Sequence, residues 1–311
     1  MRINPARILR GALWRVGNIC IGLAGRIRLN QDGKLTQIPQ ENGEWTTCRI
    51  GDFEWRLNRS QFIDRELFDK GVFEPTSISW VRKLVKPGMI VADVGANFGY
   101  YTVLLSSLVG PGGQVHAFEP SKRYCERLLD HVRRNECDNV TVSNFGLSDT
   151  ASEKILYGDE ISAALDWADD AKPPTIEEPV QLRTLDSYAV EIALPSLDFM
   201  KVDIDGHEPR FLVGATQTIQ RFRPMILMEF AQLNLMAAGS DVEHLVKQLS
   251  DLGYSCFSET NGNPYSSHAD FLREAMNCSH SVNVFCLPGQ AGAPLEQAAK
   301  VLEANRQCRT H

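Results

Sequence analysis

The side chains able to do chemistry concentrate in three short runs. The densest is Asp198-Phe199-Met200-Lys201-Val202-Asp203-Ile204-Asp205-Gly206-His207-Glu208, where Asp203, Asp205, His207 and Glu208 fall within six residues at the end of an apolar stretch. Burying that many charges is costly and crowding shifts their proton affinities, so the run reads as a functional site. Helix capping by Asp205 or Glu208 is the structural alternative, and the two roles can coexist. From this cluster His207 is the candidate general base, with Asp203, Glu208 and the later Glu229 as alternatives. Lys201 reads as the partner of a nearby carboxylate.

The second run is Val91-Ala92-Asp93-Val94-Gly95-Ala96-Asn97-Phe98-Gly99-Tyr100-Tyr101-Thr102. Glycines at 95 and 99, between a buried strand and a helix, allow a tight turn and close backbone approach to a nucleoside ligand. A dinucleotide fingerprint would also need glycine at positions 97 and 100. Asn97 and Tyr100 stand there instead. A carboxylate at the loop mouth, Asp93, repels a phosphate and suits a cationic sulfonium, so the residue choice favours S-adenosyl-L-methionine over a nicotinamide dinucleotide. The third run, Val115-His116-Ala117-Phe118-Glu119-Pro120, puts an acid at a strand end 24 residues past Gly95. Such an acid can accept hydrogen bonds from both ribose hydroxyls; a surface glutamate is the plainer alternative. His116, inside the strand, reads as a packed core residue.

These runs need strands and helices to hold them. From Met89 onward short apolar runs alternate with helical periodicity: strands at Met89–Val94, Gln114–Phe118, Val140–Ser143, Val180–Leu182, Leu197–Asp203, Met225–Glu229, Tyr254–Phe257 and Val282–Leu287, and helices through Leu108, over Ser121–Asn135, around Arg210–Gln220 and over Asp241–Leu252. That alternation predicts an α/β fold, a doubly wound, mostly parallel sheet that binds ligands at the carboxyl ends of its strands. Before it, Thr47–Ile50 and Glu54–Leu57 read as a small hairpin, and Ser60–Lys70 and Ser77–Leu84 as helices. The acidic stretch Gly158–Glu178 is too long for a simple loop and reads either as a lid or acceptor-binding insertion or as a solvated loop. A weak helix is expected over Leu295–Arg306.

Composition narrows the classes. The formal charge is −7, and because residues 1–30 hold six arginines and no acid, the remainder carries −13. So acidic a body argues against nucleic acid as a partner. Eight scattered cysteines without CxxC or Cys/His ligand spacing predict no metal site and no disulfide scaffold, and fit the reduced thiols of a cytoplasmic protein. The apolar stretch Trp14–Gly25 is broken by Arg15, Gly17, Asn18 and Gly22. It reads as an N-terminal helix or a loosely ordered segment rather than a cleaved signal. Peripheral membrane contact through this basic N-terminus is the second reading.

Taken in order, Gly71-Val72-Phe73-Glu74, Asp93-Val94-Gly95-Ala96-Asn97-Phe98-Gly99, Phe118-Glu119-Pro120, Leu147-Ser148-Asp149, Lys201-Val202-Asp203-Ile204-Asp205-Gly206-His207-Glu208 and Pro224-Met225-Ile226-Leu227-Met228-Glu229 resemble the FkbM family of methyltransferases over roughly residues 60–290. One departure is Asp205, where the family usually carries glutamate. The resemblance implies a seven-stranded, Rossmann-like methyltransferase sheet whose last strand runs antiparallel. It implies methyl transfer from S-adenosyl-L-methionine to a hydroxyl oxygen of a small-molecule or carbohydrate acceptor. It also implies that Asp93, Gly95, Asn97 and Gly99 surround the methionine part of the cofactor, Glu119 holds the ribose, Ser148 and Asp149 lie beside the adenine, and Asp203 faces the methionine amino group or the reaction centre.

The organisation expected is an N-terminal extension over 1–59, a methyltransferase domain over 60–290 and a C-terminal tail over 291–311. The expected mechanism is in-line displacement, accelerated mainly by holding oxygen, methyl carbon and sulfur collinear, with a base adding about 10²–10⁴-fold. A non-catalytic S-adenosylmethionine-binding or scaffold protein and a nicotinamide-dependent oxidoreductase remain the competing classes.

Overall fold

The computed structural model describes residues 27–29, 35–37, 44–158, 163–165, 176–265, 267–277, 281–289 and 294–300. Two short ladders come first, β1 (Ile27–Leu29) with β2 (Leu35–Gln37) and β3 (Trp45–Ile50) with β4 (Phe53–Asn58). Then follow α1 (Phe62–Lys70), α2 (Pro75–Leu84), β5 (Ile90–Val94), α3 (Tyr100–Val109), β6 (Gln114–Phe118), α4 (Lys122–Arg134) and β7 (Val140–Ser143). A four-stranded excursion uses β8 (Gly146–Leu147), β9 (Ser152–Gly158), β10 (Ala163–Ala164) and β11 (Ile176–Arg183). The chain continues through α5 (Leu185–Glu191), β12 (Phe199–Val202), α6 (Glu208–Gly214), α7 (Thr216–Phe222), β13 (Met225–Phe230), α8 (Gln232–Ala237), α9 (Val242–Asp251), β14 (Tyr254–Ser258), α10 (His268–Asn277) and β15 (Val282–Pro288).

The main sheet has seven strands in the order β14-β15-β13-β12-β5-β6-β7. All run parallel except β15, which is antiparallel to both of its neighbours. The expected doubly wound sheet with a reversed last strand is therefore present. Its apolar runs follow from burial on both faces. Val91, Val115, Phe199 and Leu227 pack into one core, while Ala92, Val94, Met200, Val202, Ile226 and Met228 alternate into the other. From β5 the chain moves outward to β6 and β7, then returns to place β12 on the other side of β5. The switch point thus falls between β5 and β12, where such sheets bind ligands. Val94 pairs in register with both Phe118 and Val202, so Gly95, Glu119 and Asp203 leave three adjacent strands at one level.

Several expectations change in detail. The single helix around Arg210–Gln220 is two, α6 and α7, meeting at Ala215. Gly214, the last residue of α6, lies against the Ser148 carbonyl, and a Cβ there would come within 1.9 Å of that oxygen. The strand at Val180–Leu182 is the end of the longer β11, which pairs antiparallel with β9 and parallel with β8. Of the acidic stretch, Glu177 and Glu178 lie on β11; residues 159–162 and 166–175 fall outside the described residues. So do residues 1–26, which hold most of the basic N-terminal segment, and residues 301–311; residues 295–300 are helical. The short α5 and α8, of seven and six residues, carry too few turns for their periodicity to stand out in sequence. Among the described residues, no helix is long and apolar enough to cross a membrane, and no group of three or more His, Cys, Asp or Glu is arranged to hold a metal ion.

The β3–β4 hairpin packs on the sheet domain through Trp55 and Leu57, which are buried with Leu67, Phe98 and Val103. Trp55 stands edge-on to Phe98 and His131. The His131 imidazole accepts the Arg56 N–H at 3.0 Å and contacts the Phe98 carbonyl oxygen at 2.7 Å, so it ties the hairpin to the loop after β5. Replacing so large a buried ring leaves a cavity that the neighbours cannot close. Trp55→Ala is expected to lower stability by about 3–5 kcal/mol. The exposed Val190→Ala is expected to stay within about 0.5 kcal/mol. Urea unfolding followed by tryptophan fluorescence and circular dichroism measures both, and a loss below about 1 kcal/mol for Trp55→Ala would show that the hairpin is not part of the core.

Candidate active site

A cavity of about 250 Å³ opens at the carboxyl ends of β5, β6 and β12. Its lining divides by chemistry. Pro120, Leu147, Leu156, Leu165 and Leu182 are apolar; Gly95, Asn97 and Glu119 bring backbone and a carboxylate; Glu74, Tyr101, Lys201, Asp203, Asp205, His207 and Glu229 are ionisable. Phe62, Phe73 and Tyr100 add aromatic surface.

The loop after β5 is built by backbone constraints. Gly95 adopts φ +78°, and a Cβ on it would lie 1.9 Å from the Asp203 carbonyl oxygen, so only glycine lets β5 and β12 end this close together. The Gly95 and Ala96 N–H groups both donate to the Phe118 carbonyl at 3.0 Å. Asn97, at φ +50°, donates its N–H to Glu119 Oε2 at 2.7 Å, and its own Oδ1 accepts the Phe98 N–H at 2.8 Å. Ser121 N–H donates to Glu119 Oε1 at 2.9 Å. The Glu119 carboxyl is thereby aimed, and each oxygen keeps a lone pair for a ligand. Burial pushes its pKa up to about 7, against the pull of those two N–H groups.

Beside this loop lies a buried charge network. Lys201 Nζ sits 2.9 Å from Asp203 Oδ2 and 5.0 Å from the centre of the Tyr101 ring. Burial works against its charge, but Asp203, Asp93 and Glu74 outweigh it and raise the lysine pKa. Asp203 would be raised by burial; the Lys201 charge and hydrogen bond overcome this and hold it below the usual carboxylate range. Glu229 is hydrogen-bonded to Asp203, and burial beside that anion keeps Glu229 protonated well above the usual range. The Tyr101 hydroxyl donates to Glu74 at 2.6 Å, and Glu74 is raised by burial and by Asp203.

His207 lines the cavity and is nearly buried, with Nε2 2.8 Å from Ser148 Oγ. The Ser148 hydroxyl donates to Asp149 Oδ1 at 2.8 Å. Glu208 folds back instead: its Oε1 accepts the Ile204 N–H at 3.0 Å and the Gly206 N–H at 3.4 Å, and burial raises its pKa to about 8.

The structure thus brings Gly95, Asn97, Glu119, Asp203 and His207 to one cavity. Asp93, Gly99, Ser148, Asp149 and Glu208 are not among the residues that line it. Asp93 is fully buried, accepts the Thr102 hydroxyl at 2.6 Å, and pairs in register with Lys201, whose charge partly offsets its burial. Gly99 caps α3 against Leu128. Glu208 braces the turn that presents His207 through N–H groups ahead of α6, which has no side-chain cap. His116 is buried on the Tyr188 hydroxyl at 2.8 Å, a core residue as expected. Lys201 pairs with Asp203, also as expected. Sequence reasoning assigned no role to Tyr101 and carried Glu74 only as part of a motif. The one signal available was a tyrosine just after the glycine loop, since Glu74 lies 21 residues before Gly95.

Residues 93–256, just over half of the chain, match the family described as the Methyltransferase FkbM domain. Curated relatives include AMB antimetabolite synthetase AmbE from Pseudomonas aeruginosa, 25% identical over 194 residues, 51% of this chain and only 9% of that protein. The 2-O-methyltransferase NoeI from Sinorhizobium fredii is 24% identical over 188 residues, 54% of this chain and 76% of the relative. The 31-O-demethyl-FK506 methyltransferase FkbM from Streptomyces tacrolimicus is 25% identical over 183 residues, 50% and 68% of the two chains. Among solved structures, Methyltransferase FkbM from Methylobacillus flagellatus aligns at a TM-score of 0.40 and 15% identity, over 67% of this chain and 50% of that one. The family match spans the glycine loop, the strand-end glutamate and the Asp203–Glu208 turn, and the chain belongs to the FkbM methyltransferase family.

Proposed function

We propose that the chain transfers a methyl group from S-adenosyl-L-methionine to a hydroxyl oxygen of a small-molecule or carbohydrate acceptor. The observation that carries the reading is the level exit of Gly95, Glu119 and Asp203 from three paired strands into one cavity. The lining fits the cofactor. Glu119, fixed by two backbone N–H groups, is suited to ribose hydroxyls. Leu147, Leu156 and Leu182 offer an apolar wall for adenine, and the Asp203 carboxylate suits a cationic ammonium or sulfonium. When bound, the cofactor supplies an electrophilic methyl group on a positively charged sulfur.

The chain's own part is to orient the acceptor, shield it and take its proton. Asp203, held ionised by Lys201, is a weak base and a good electrostatic partner for a cation. Burial beside Asp203 pushes Glu229 well above the usual carboxylate range, and Glu208 is committed to backbone N–H groups. His207, which lines the cavity, is therefore the proposed proton acceptor. Oxygen as the acceptor atom draws support from the 2-O-methyltransferase and 31-O-demethyl-FK506 methyltransferase relatives, each named for such a position. Alongside them stands the hexuronic acid methyltransferase AglP from Haloferax volcanii, 25% identical over 164 residues, 52% of this chain and 62% of that protein.

Calorimetric titration with S-adenosylmethionine and S-adenosylhomocysteine is expected to show binding of both and none of NADH. Losing the charged acceptor in Glu119→Ala should weaken both adenosyl ligands by about ten- to a hundredfold; no binding to the unsubstituted protein would overturn the reading. The pH dependence follows from Glu119. Its carboxylate accepts more hydrogen bonds than the neutral acid, and its pKa is about 7. Affinity for S-adenosylhomocysteine should therefore rise between pH 6 and about pH 8. Glu119→Gln, with nothing to ionise, should bind with a flat profile over that range, and an equal slope in both proteins would remove Glu119 from the ribose site.

A further inference from the structure

Glu74 lines the cavity, yet neither ribose binding nor the proposed proton transfer gives it a use. It lies upstream of residues 93–256, so the family match does not include it. Pro75, which opens α2, disfavours the right-handed helical region for the residue before it. Glu74 takes the left-handed region instead, at φ +48° and ψ +59°, which is uncommon for any residue but glycine. A backbone held there is fixed by its surroundings, and such residues cluster at ligand sites. Glu74 is also the N-cap of α2, a position from which a side-chain oxygen commonly accepts a helix N–H, but its side chain caps nothing. The half-buried carboxyl instead accepts the Tyr101 hydroxyl at 2.6 Å, beside the cavity that both residues line.

The strand order decides which end of the cavity this is. β12 and β6 flank β5, so Asp203 and Glu119 leave the sheet on opposite sides of Gly95. The apolar wall lies on the Glu119 side. A Cβ on Gly146 would come 2.7 Å from Leu182 and 3.4 Å from Pro120, the residue after Glu119. Glu74 belongs to the other side. The ring of its partner Tyr101 is centred 5.0 Å from Lys201 Nζ, and Lys201 is bonded to Asp203. The covalent order of the cofactor is adenine, ribose, sulfur, amino acid. With its base on the leucines and its ribose on Glu119, its amino acid extends toward Asp203 and Glu74.

That end holds more carboxyl groups than cations. Lys201 is bonded to Asp203 and stands opposite Asp93 in register. The groups that hydrogen-bond Glu74 are the Tyr101 hydroxyl and the Asn283 amide, neither of them a cation. Burial and the Asp203 charge push the Glu74 carboxyl up, and a cation arriving beside it works in the opposite direction. We propose that Glu74, held by Tyr101, joins Asp203 in binding the ammonium group of the cofactor's amino acid. This rests on the reading of the cavity as an S-adenosylmethionine site. The ammonium is common to S-adenosylmethionine and S-adenosylhomocysteine, so the role is independent of the methyl group and of the acceptor.

Calorimetry on the full-length protein tests this without an acceptor. The probes are S-adenosylhomocysteine and its deaminated analogue, which carries hydrogen in place of the amino group. The unsubstituted protein should bind S-adenosylhomocysteine the tighter of the two, by about tenfold or more. Glu74→Gln, which keeps the shape and removes the charge, should weaken S-adenosylhomocysteine about tenfold and leave the deaminated analogue within about twofold. Tyr101→Phe, which releases the carboxyl without removing it, should lose about threefold, again for S-adenosylhomocysteine alone. Circular dichroism reports whether each variant is folded; should Glu74→Gln fail to fold, Tyr101→Phe and the preference of the unsubstituted protein carry the test. Equal losses for the two ligands would make the role of Glu74 structural and overturn the proposal. So would the absence of any preference in the unsubstituted protein. An unchanged affinity of Glu74→Gln for S-adenosylhomocysteine would also overturn it and leave Glu74 to the acceptor. None of these three results touches the methyl-transfer reading, which falls together with the proposal only if the unsubstituted protein binds no S-adenosylhomocysteine.

Discussion

At Gly95 the loop passes so near Asp203 that a Cβ would lie 1.9 Å from its carbonyl oxygen, and the rest of the arrangement depends on this close approach. A side chain of any size at position 95 would overlap that oxygen. Because none is there, the loop after β5 folds over the end of β12, and the Asp203 N–H reaches the Val94 carbonyl at 3.0 Å. The loop's N–H groups turn to Phe118 and to Glu119. One missing Cβ thus couples the ends of β5, β6 and β12. A carboxyl on one side and an ion pair on the other are held at fixed separation without a ligand's help, the kind of preorganisation that electrostatic catalysis requires.

The same floor is expensive to fold. Lys201, Asp93, Asp203, Glu74 and Glu229 crowd where water is scarce, and desolvating each charge costs several kcal/mol. The structure offsets this in two ways. Lys201 stands opposite Asp93 in register and against Asp203, so one cation serves two acids. Burial pushes both Glu229 and Glu208 up, Glu208 to about 8, which favours their neutral forms. The Lys201–Asp203 pair of this network reaches the cavity, with Asp203 31% exposed.

What could be read in sequence were the features carried by local pattern. The both-sides-buried strands, Gly95, and Glu119 at a strand end follow from composition within a few residues, and strand register then brings them together. Contacts across long separations were not legible. His207 and Ser148 lie 59 residues apart, and Tyr101 and Glu74 lie 27 apart on elements whose packing no periodicity encodes. Asp93 illustrates a finer limit. A carboxylate two residues before Gly95 looks like a ligand group, but the strand's alternation turns it onto Thr102 instead. Glu208 shows the same, since only the observed N–H contacts reveal that it braces the turn ahead of α6. The strand β9 and the first part of β11 escaped notice because they are edged with charge rather than cleanly alternating.

The most direct measurement is a crystal structure of the protein with S-adenosylhomocysteine. Both ribose hydroxyls should lie within hydrogen-bond distance of the Glu119 carboxylate, the adenine should lie against Leu147, Leu156 and Leu182, and the amino group should approach Asp203. A ligand seated elsewhere, or one in this cavity with Glu119 turned away and Gly95 displaced from the Asp203 carbonyl, would contradict a site prebuilt by the meeting of these three strand ends.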